Sequence, residues 1–155
     1  MKHINVGSVV TIVALLLGIS SAAVAENKSC SNNTLKGSFA FTSTGTLLDT
    51  YAPPPFAGPF AEVGVQAFDG SGGTAATATL SSNGNIVSVT VTGTYSVNPD
   101  CTGTMTLNVS PFNSVIHLSF AIDRHGNGFQ AIETEPGLII TRVARRQFSQ
   151  DADHN

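Results

Sequence analysis

Four side chains in the last third of the chain are of types that could do chemistry together: His117, Ser119, Glu133 and Arg142. Each lies in a run of alternating residues, so each belongs to a strand whose successive side chains point to opposite faces. In one run His117 and Ser119 share a face with Val115 and Ala121, opposite Ile116, Leu118, Phe120 and Ile122. In the next, Phe129, Ala131 and Glu133 oppose Gln130, Ile132 and Thr134. In the last, Leu138, Ile140, Arg142 and Ala144 oppose Ile139, Thr141, Val143 and Arg145. A hairpin register that sets Ser119 beside Glu133 puts all four polar groups on one face. If that face is interior, Glu133 gains a cationic partner, which a buried carboxylate needs. With Tyr95 and Glu62 this forms a candidate site. The plainer alternative is an ion-paired exterior face.

A second group is aromatic. The stretch "YAPPPFAGPF" carries Tyr51, Phe56 and Phe60 in a Pro-rich segment, Leu47–Phe60, expected to stay outside the sheet ladder. Three exposed rings would forgo burial energy on the order of 1.5–3 kcal/mol each. The segment is therefore expected to act as a lid or a side-packing plug, with these rings bordering a barrel mouth. The candidate ligand-binding set is Tyr51, Phe56, Phe60, Tyr95, His117, Glu133 and Arg142.

Familiar catalytic templates do not fit. There is no G-x-S-x-G elbow, no H-E-x-x-H pair and no phosphate-binding glycine loop ahead of a helix. His3, His125 and His154 lie at the start, in a turn and in the tail, which makes a poor metal set. No metal and no cofactor are expected. Asp69 and Asp123 both follow apolar strands and precede Gly-rich turns, where an Asp accepts backbone N–H bonds. A calcium loop would need a longer series of acidic ligands.

The elements that position these residues are eight strands: Leu35–Ser43, Ala61–Phe68, Thr74–Ser81, Ile86–Tyr95, Gly103–Val109, Val115–Ile122, Phe129–Thr134 and Leu138–Arg145. Asp69-Gly70-Ser71-Gly72-Gly73, Asn83-Gly84 and Glu135-Pro136-Gly137 supply the positive φ of tight hairpins. Short connections and no long crossover favour a single antiparallel eight-stranded up-and-down barrel, with a β-sandwich as the alternative. Both faces of the late strands carry apolar residues, which suits an outside covered by the chain's own ends or by a second copy in a homo-oligomer. Arg142, Arg145 and Arg146 suggest a basic patch near the end of the chain.

The N-terminus has the marks of a secretory signal peptide: Lys2 and His3, an apolar run from Val9 to Gly18, and Ala23-Val24-Ala25 as a cleavage pattern. The expected organisation is 1–25 signal peptide, 26–148 barrel domain and 149–155 disordered tail. The mature part carries six Lys and Arg against ten Asp and Glu. That balance argues against nucleic acid as a partner. No run in it is long enough for a membrane-spanning helix. Cys30 and Cys101 both lie in the exported part, and a pair in an oxidising compartment is expected to form a disulfide. The expected location is secreted or periplasmic.

The elements "TLKGSFAF", "FDGSG", "GTYSVNPDCTGTMTL" and "IETEPGLIITRVARRQ" resemble those of a family of small secreted bacterial all-β proteins of unknown function. The resemblance spans nearly the whole mature chain. It implies export and, by analogy, a barrel like those of calycins and allene oxide cyclase, but no activity. Three function classes follow. One is a binding barrel that takes a small apolar molecule into its mouth. Another is a structural or surface-interaction protein with a filled interior. The third and weakest is a cyclase or isomerase using Glu133 or His117 as acid or base. The first two are favoured over an enzyme.

Overall fold

The computed structural model describes residues 29–147. The expected signal peptide, 1–25, and the expected tail, 149–155, lie outside the described residues. The eight strands are β1 (Gly37–Leu47), β2 (Gly58–Phe68), β3 (Gly73–Ser82), β4 (Asn85–Val97), β5 (Thr102–Ser110), β6 (Ser114–Ile122), β7 (Gly128–Glu133) and β8 (Leu138–Arg146). Each pairs antiparallel with the next, and β8 pairs back onto β1, so the sheet closes into an up-and-down barrel. Closure removes the unpaired edges that an open eight-stranded meander would present.

Alternation governs every strand. Along β3, Thr74, Ala76, Ala78, Leu80 and Ser82 are buried while Ala75, Thr77 and Thr79 are exposed. The first strand departs from expectation at both ends. Asn32–Leu35 forms a short 3-10 turn and Leu35 is fully buried. The strand itself runs on to Leu47. Strand β2 also begins earlier than expected and takes in Pro59, opposite Thr46. A proline is tolerated there because it is the second residue of a strand at the barrel rim, where a missing N–H disrupts least.

The turns behave as their residues require. Leu138 N–H donates to the Glu135 carbonyl at 3.1 Å, and Gly137 has φ of 90°. This is a turn closed by Pro at its first centre and a positive-φ Gly at its second. Asp69 Oδ1 accepts the N–H groups of Ser71, Gly72 and Gly73 at 2.7, 2.9 and 2.9 Å. Asp123 Oδ1 accepts those of His125 and Asn127 at 3.0 and 2.9 Å. Both aspartates are spent on turn geometry.

Because the strands run up and down, the connections fall at two ends. One end holds Ser29–Lys36, the turns 69–72, 98–101 and 123–127, and the end of β8. The other holds the long loop 48–57 and the turns 83–84, 111–113 and 134–137. The first end is filled. Phe39, Phe68, Phe120 and Phe129 pack there with Tyr95, at ring separations of 5.0–5.8 Å. Below them, the disulfide between Cys30 and Cys101 ties the N-terminal segment to the β4–β5 turn, with Cα atoms 5.0 Å apart.

Candidate functional site

Midway along the barrel lies a row of inward polar groups that only closure assembles. Ser43 on β1 is the register partner of Glu62 on β2 and of Arg142 on β8. All three side chains point inward and are buried. Arg142 donates from Nε to Ser43 Oγ at 3.0 Å, from Nη1 to Gln66 Oε1 at 3.3 Å and from Nη2 to Glu62 Oε2 at 3.1 Å. Ser43 in turn donates to the same Glu62 oxygen at 2.9 Å. The guanidinium lies 4.2 Å above the Phe41 ring. Gly64 leaves space for that ring, since a Cβ there would come within 2.8 Å of Phe41 Cζ. Gln66 passes the network on, donating to Thr74 Oγ1 at 3.1 Å. Such a buried pair survives because, among the described residues, no fully buried polar side-chain atom lacks a partner.

Above this row, towards the end carrying the long loop, the interior opens into a cavity of about 560 Å³. Its wall is mainly apolar, with Leu80, Val91, Leu107, Ile116, Leu138 and Ile140 among the lining residues. Tyr51, Phe56, Phe60 and Phe112 also border it. Phe56 meets Phe112 edge-on across the rim, with ring centres 6.3 Å apart. The long loop is held by its own turns and by the β3–β4 hairpin. Asn83 and Asn85 donate to the Pro55 carbonyl at 3.0 and 3.1 Å, and Ser82 donates to that of Phe56 at 2.7 Å.

Glu133 closes one side of the cavity. It is 8% exposed, and no hydrogen bond reaches its carboxyl group among the described residues. Burial pushes its pKa up to about 7. Arg142 pulls it down, and Glu62 and Glu135 push it further up. Burial also raises the Tyr51 phenol. The neighbouring Ser114 hydroxyl opposes that rise, while Glu133 and Glu135 add to it. The polar side of the cavity thus holds a carboxyl group that is half ionised near neutrality, beside an ion pair whose donors are already engaged.

The structure divides the residues singled out from the sequence. Tyr51, Phe56, Phe60, Glu133 and Arg142 meet at the cavity, as does Glu62. His117 and Ser119 do not. The register pairs Leu118 with Glu133 and Ser119 with Ile132, so His117 and Ser119 face outward. Six residues separate the paired ends Ile122 and Phe129. An odd number would be needed to set Ser119 beside Glu133, and a slip of one residue reverses every side chain. His117, with its side chain 54% exposed, instead makes a close contact from Nδ1 to Glu135 on the outer surface. The constellation is therefore split: Glu133 and Arg142 lie inside, and His117, in contact with Glu135, lies outside.

Tyr95 belongs to the filled end. Its hydroxyl donates to the Asn32 carbonyl at 3.0 Å and accepts the Gly70 N–H at 3.0 Å. The supposed basic patch also dissolves. Arg142 is buried, and Arg146 lies over Phe39 and donates to the carbonyls of Thr34, Lys36 and Gly126. Arg145 alone of the three points out. Sequence reasoning did not pick out Phe112, Ser43 or Gln66. The inward alternation of Phe39, Phe41 and Ser43, and of Glu62 and Gln66, was the available signal.

No family model, no curated protein and no solved structure matches this chain.

Proposed function

We propose that the protein is an exported binding barrel that takes a small, mainly apolar molecule into the cavity at its open end. One observation carries this reading: one end of the barrel interior is packed with aromatic rings while a cavity of about 560 Å³ with a mainly apolar wall opens towards the other. Ligand sites commonly occupy volumes of about 300–1,000 Å³ with a few convergent polar groups. Leaving a cavity of this kind costs stability relative to filling it with side chains. A protein whose barrel served only as a rigid body would gain by filling it. Export is supported by the signal-like N-terminus and by the Cys30–Cys101 disulfide.

A second reading is favoured by one feature. Glu133 faces the cavity with a pKa of about 7, which suits a general acid or base in a cyclase- or isomerase-type reaction. It ranks below binding because Glu62 is engaged by Ser43 and Arg142, which leaves Glu133 with only the Tyr51 phenol as a candidate second group for proton transfer.

A fluorescent apolar probe tests the binding reading. Saturable binding is expected for the natural chain. It should weaken in Phe56→Ala and Phe60→Ala and vanish in Val91→Phe, which fills the cavity, with circular dichroism unchanged. Absence of saturable binding by the natural chain across a chemically varied panel overturns it.

A further inference from the structure

The cavity's polar groups also restrict what the head of such a molecule can be. This step rests on the binding reading above. We infer that the preferred ligand is a lipophilic amine, an apolar body carrying one protonated nitrogen that docks on the Glu133 carboxylate.

The charge inventory leads there. Arg142 is the cation of the cavity wall, and it is already committed. Its three nitrogens donate to Ser43, Gln66 and Glu62, it stacks on Phe41, and it is 4% exposed. Its charge is balanced by Glu62 at 3.1 Å. The groups that face Glu133 come from four elements. Arg142 lies on β8 and Glu62 on β2. Tyr51 comes from the long loop, and Glu135 from the β7–β8 turn. Once Arg142 and Glu62 cancel, the remaining charge beside the cavity is carboxylate.

Glu133 also presents its carboxyl group to the cavity. More than nine-tenths of it is buried, it lines the cavity, and it has no hydrogen-bond partner among the described residues. Burying a charge without a hydrogen bond is costly, and a ligand that donates one recovers part of that cost. A protonated amine donates the bond and neutralises the charge together, as a charge-assisted pair. An alcohol donates the bond alone. A carboxylate brings a second negative charge against Glu133 and finds Arg142 occupied. Tyr51, Phe56, Phe60 and Phe112 border the cavity, and aromatic rings attract cations.

Decylamine, decanol and decanoate share one apolar tail and differ only in the head, so they separate these cases. Each is titrated against a probe-loaded sample of the exported chain, below its aggregation threshold, at pH 6 and pH 8. Decylamine should bind about ten-fold or more tighter than decanol at pH 8, the value of one charge-assisted hydrogen bond. Decanoate should bind weakest. Because the amine stays protonated throughout, its affinity should rise roughly ten-fold from pH 6 to pH 8 as Glu133 ionises. Decanol affinity should stay flat. Glu133→Gln should erase the advantage of the amine and its pH dependence while decanol binding is kept, and Glu133→Asp should retain part of both.

Equal binding of all three, or tighter binding of decanoate, overturns the amine inference and leaves the binding barrel standing. So does an amine advantage that survives Glu133→Gln. No binding of any of the three, or of the probe, removes both readings together.

Discussion

The two ends of this barrel are built from the same eight strands and differ in what fills them. At the filled end Leu35, Phe39, Met105, Leu118 and Phe129 are nearly or wholly removed from solvent. Rings pack edge-on, as in Phe39 against Phe68 and Phe68 against Phe129. Arg146, Asn32 and the disulfide then tie the N-terminal segment, three turns and the end of β8 into one base. At the open end Leu47, Tyr51, Phe60, Val87 and Val109 are only partly buried, and Phe112 is exposed. The rings there line a space instead of filling one. The contrast sets a packed core and an open cavity at opposite ends of one sheet, with the Ser43–Glu62–Arg142 row between them.

That division makes the largest predicted effects fall at the filled end. Phe129→Ala removes a ring that contacts Phe39, Phe68 and Phe120, and should cost about 3–5 kcal/mol in urea unfolding. Phe60→Ala, whose ring already borders a cavity, should cost less than about 2 kcal/mol. Equal losses for the two would erase the contrast between the ends.

Replacing Cys30 and Cys101 together by Ala frees the base from the β4–β5 turn. The bridge spans a sequence separation of 71 residues. Its loss should cost about 2–5 kcal/mol. Cavity binding by the refolded variant should be unchanged, because the bridge lies at the other end. A melting temperature equal to that of the natural chain would show that the base holds without the bridge.

The next effect is read through pH. Folding raises Glu133 from its ordinary value of 4.5 to about 7, chiefly by burial. The folded state therefore holds this proton more tightly than the unfolded one. Its contribution is unimpaired below pH 4.5, falls as pH rises towards 7, and levels off above. The full loss is roughly 3 kcal/mol. Glu133→Gln should match the natural chain at pH 4.5 and exceed it at pH 8, measured by urea midpoints at both. Parallel pH profiles for the two proteins would place the Glu133 carboxyl group in a wetter setting.

The smallest effect tests the open end by itself. Gly137 has φ of 90°, and an added Cβ would lie 2.9 Å from both Thr50 Oγ1 and Tyr51 Cβ. Gly137→Val should cost roughly 1 kcal/mol or somewhat more through the left-handed backbone alone. It should also disturb probe binding, since the turn supports the loop that carries Tyr51: Leu48 N–H donates to the Gly137 carbonyl at 2.8 Å. An unchanged unfolding midpoint would remove the turn assignment.

Much of the barrel is legible in the sequence, because strands and tight turns are local. Alternating residues mark all eight strands, and Asn83-Gly84 and Pro136-Gly137 mark turns whose backbone conformation those residues tolerate. The disulfide is expected from two cysteines that both follow the signal-like N-terminus. The Pro-rich loop is identified over 48–57 by residues unsuited to a ladder. Leu47 and residues 58–60, expected outside the sheet as well, instead pair in β1 and β2. Tyr51 and Phe56 of the loop and Phe60 of β2 border the cavity. What stays hidden is relational. The face taken by His117 depends on the parity of the β6–β7 connection, and one residue of register exchanges inside for outside. The Glu62–Arg142 pair joins residues 80 positions apart and exists only because β8 closes on β1. Which half of the barrel is filled depends on how side chains from all eight strands meet at one height, and no single strand carries that information. Hydrophobic periodicity reports which way a residue points relative to its neighbours in the chain. Closure, register and packing decide what it points at.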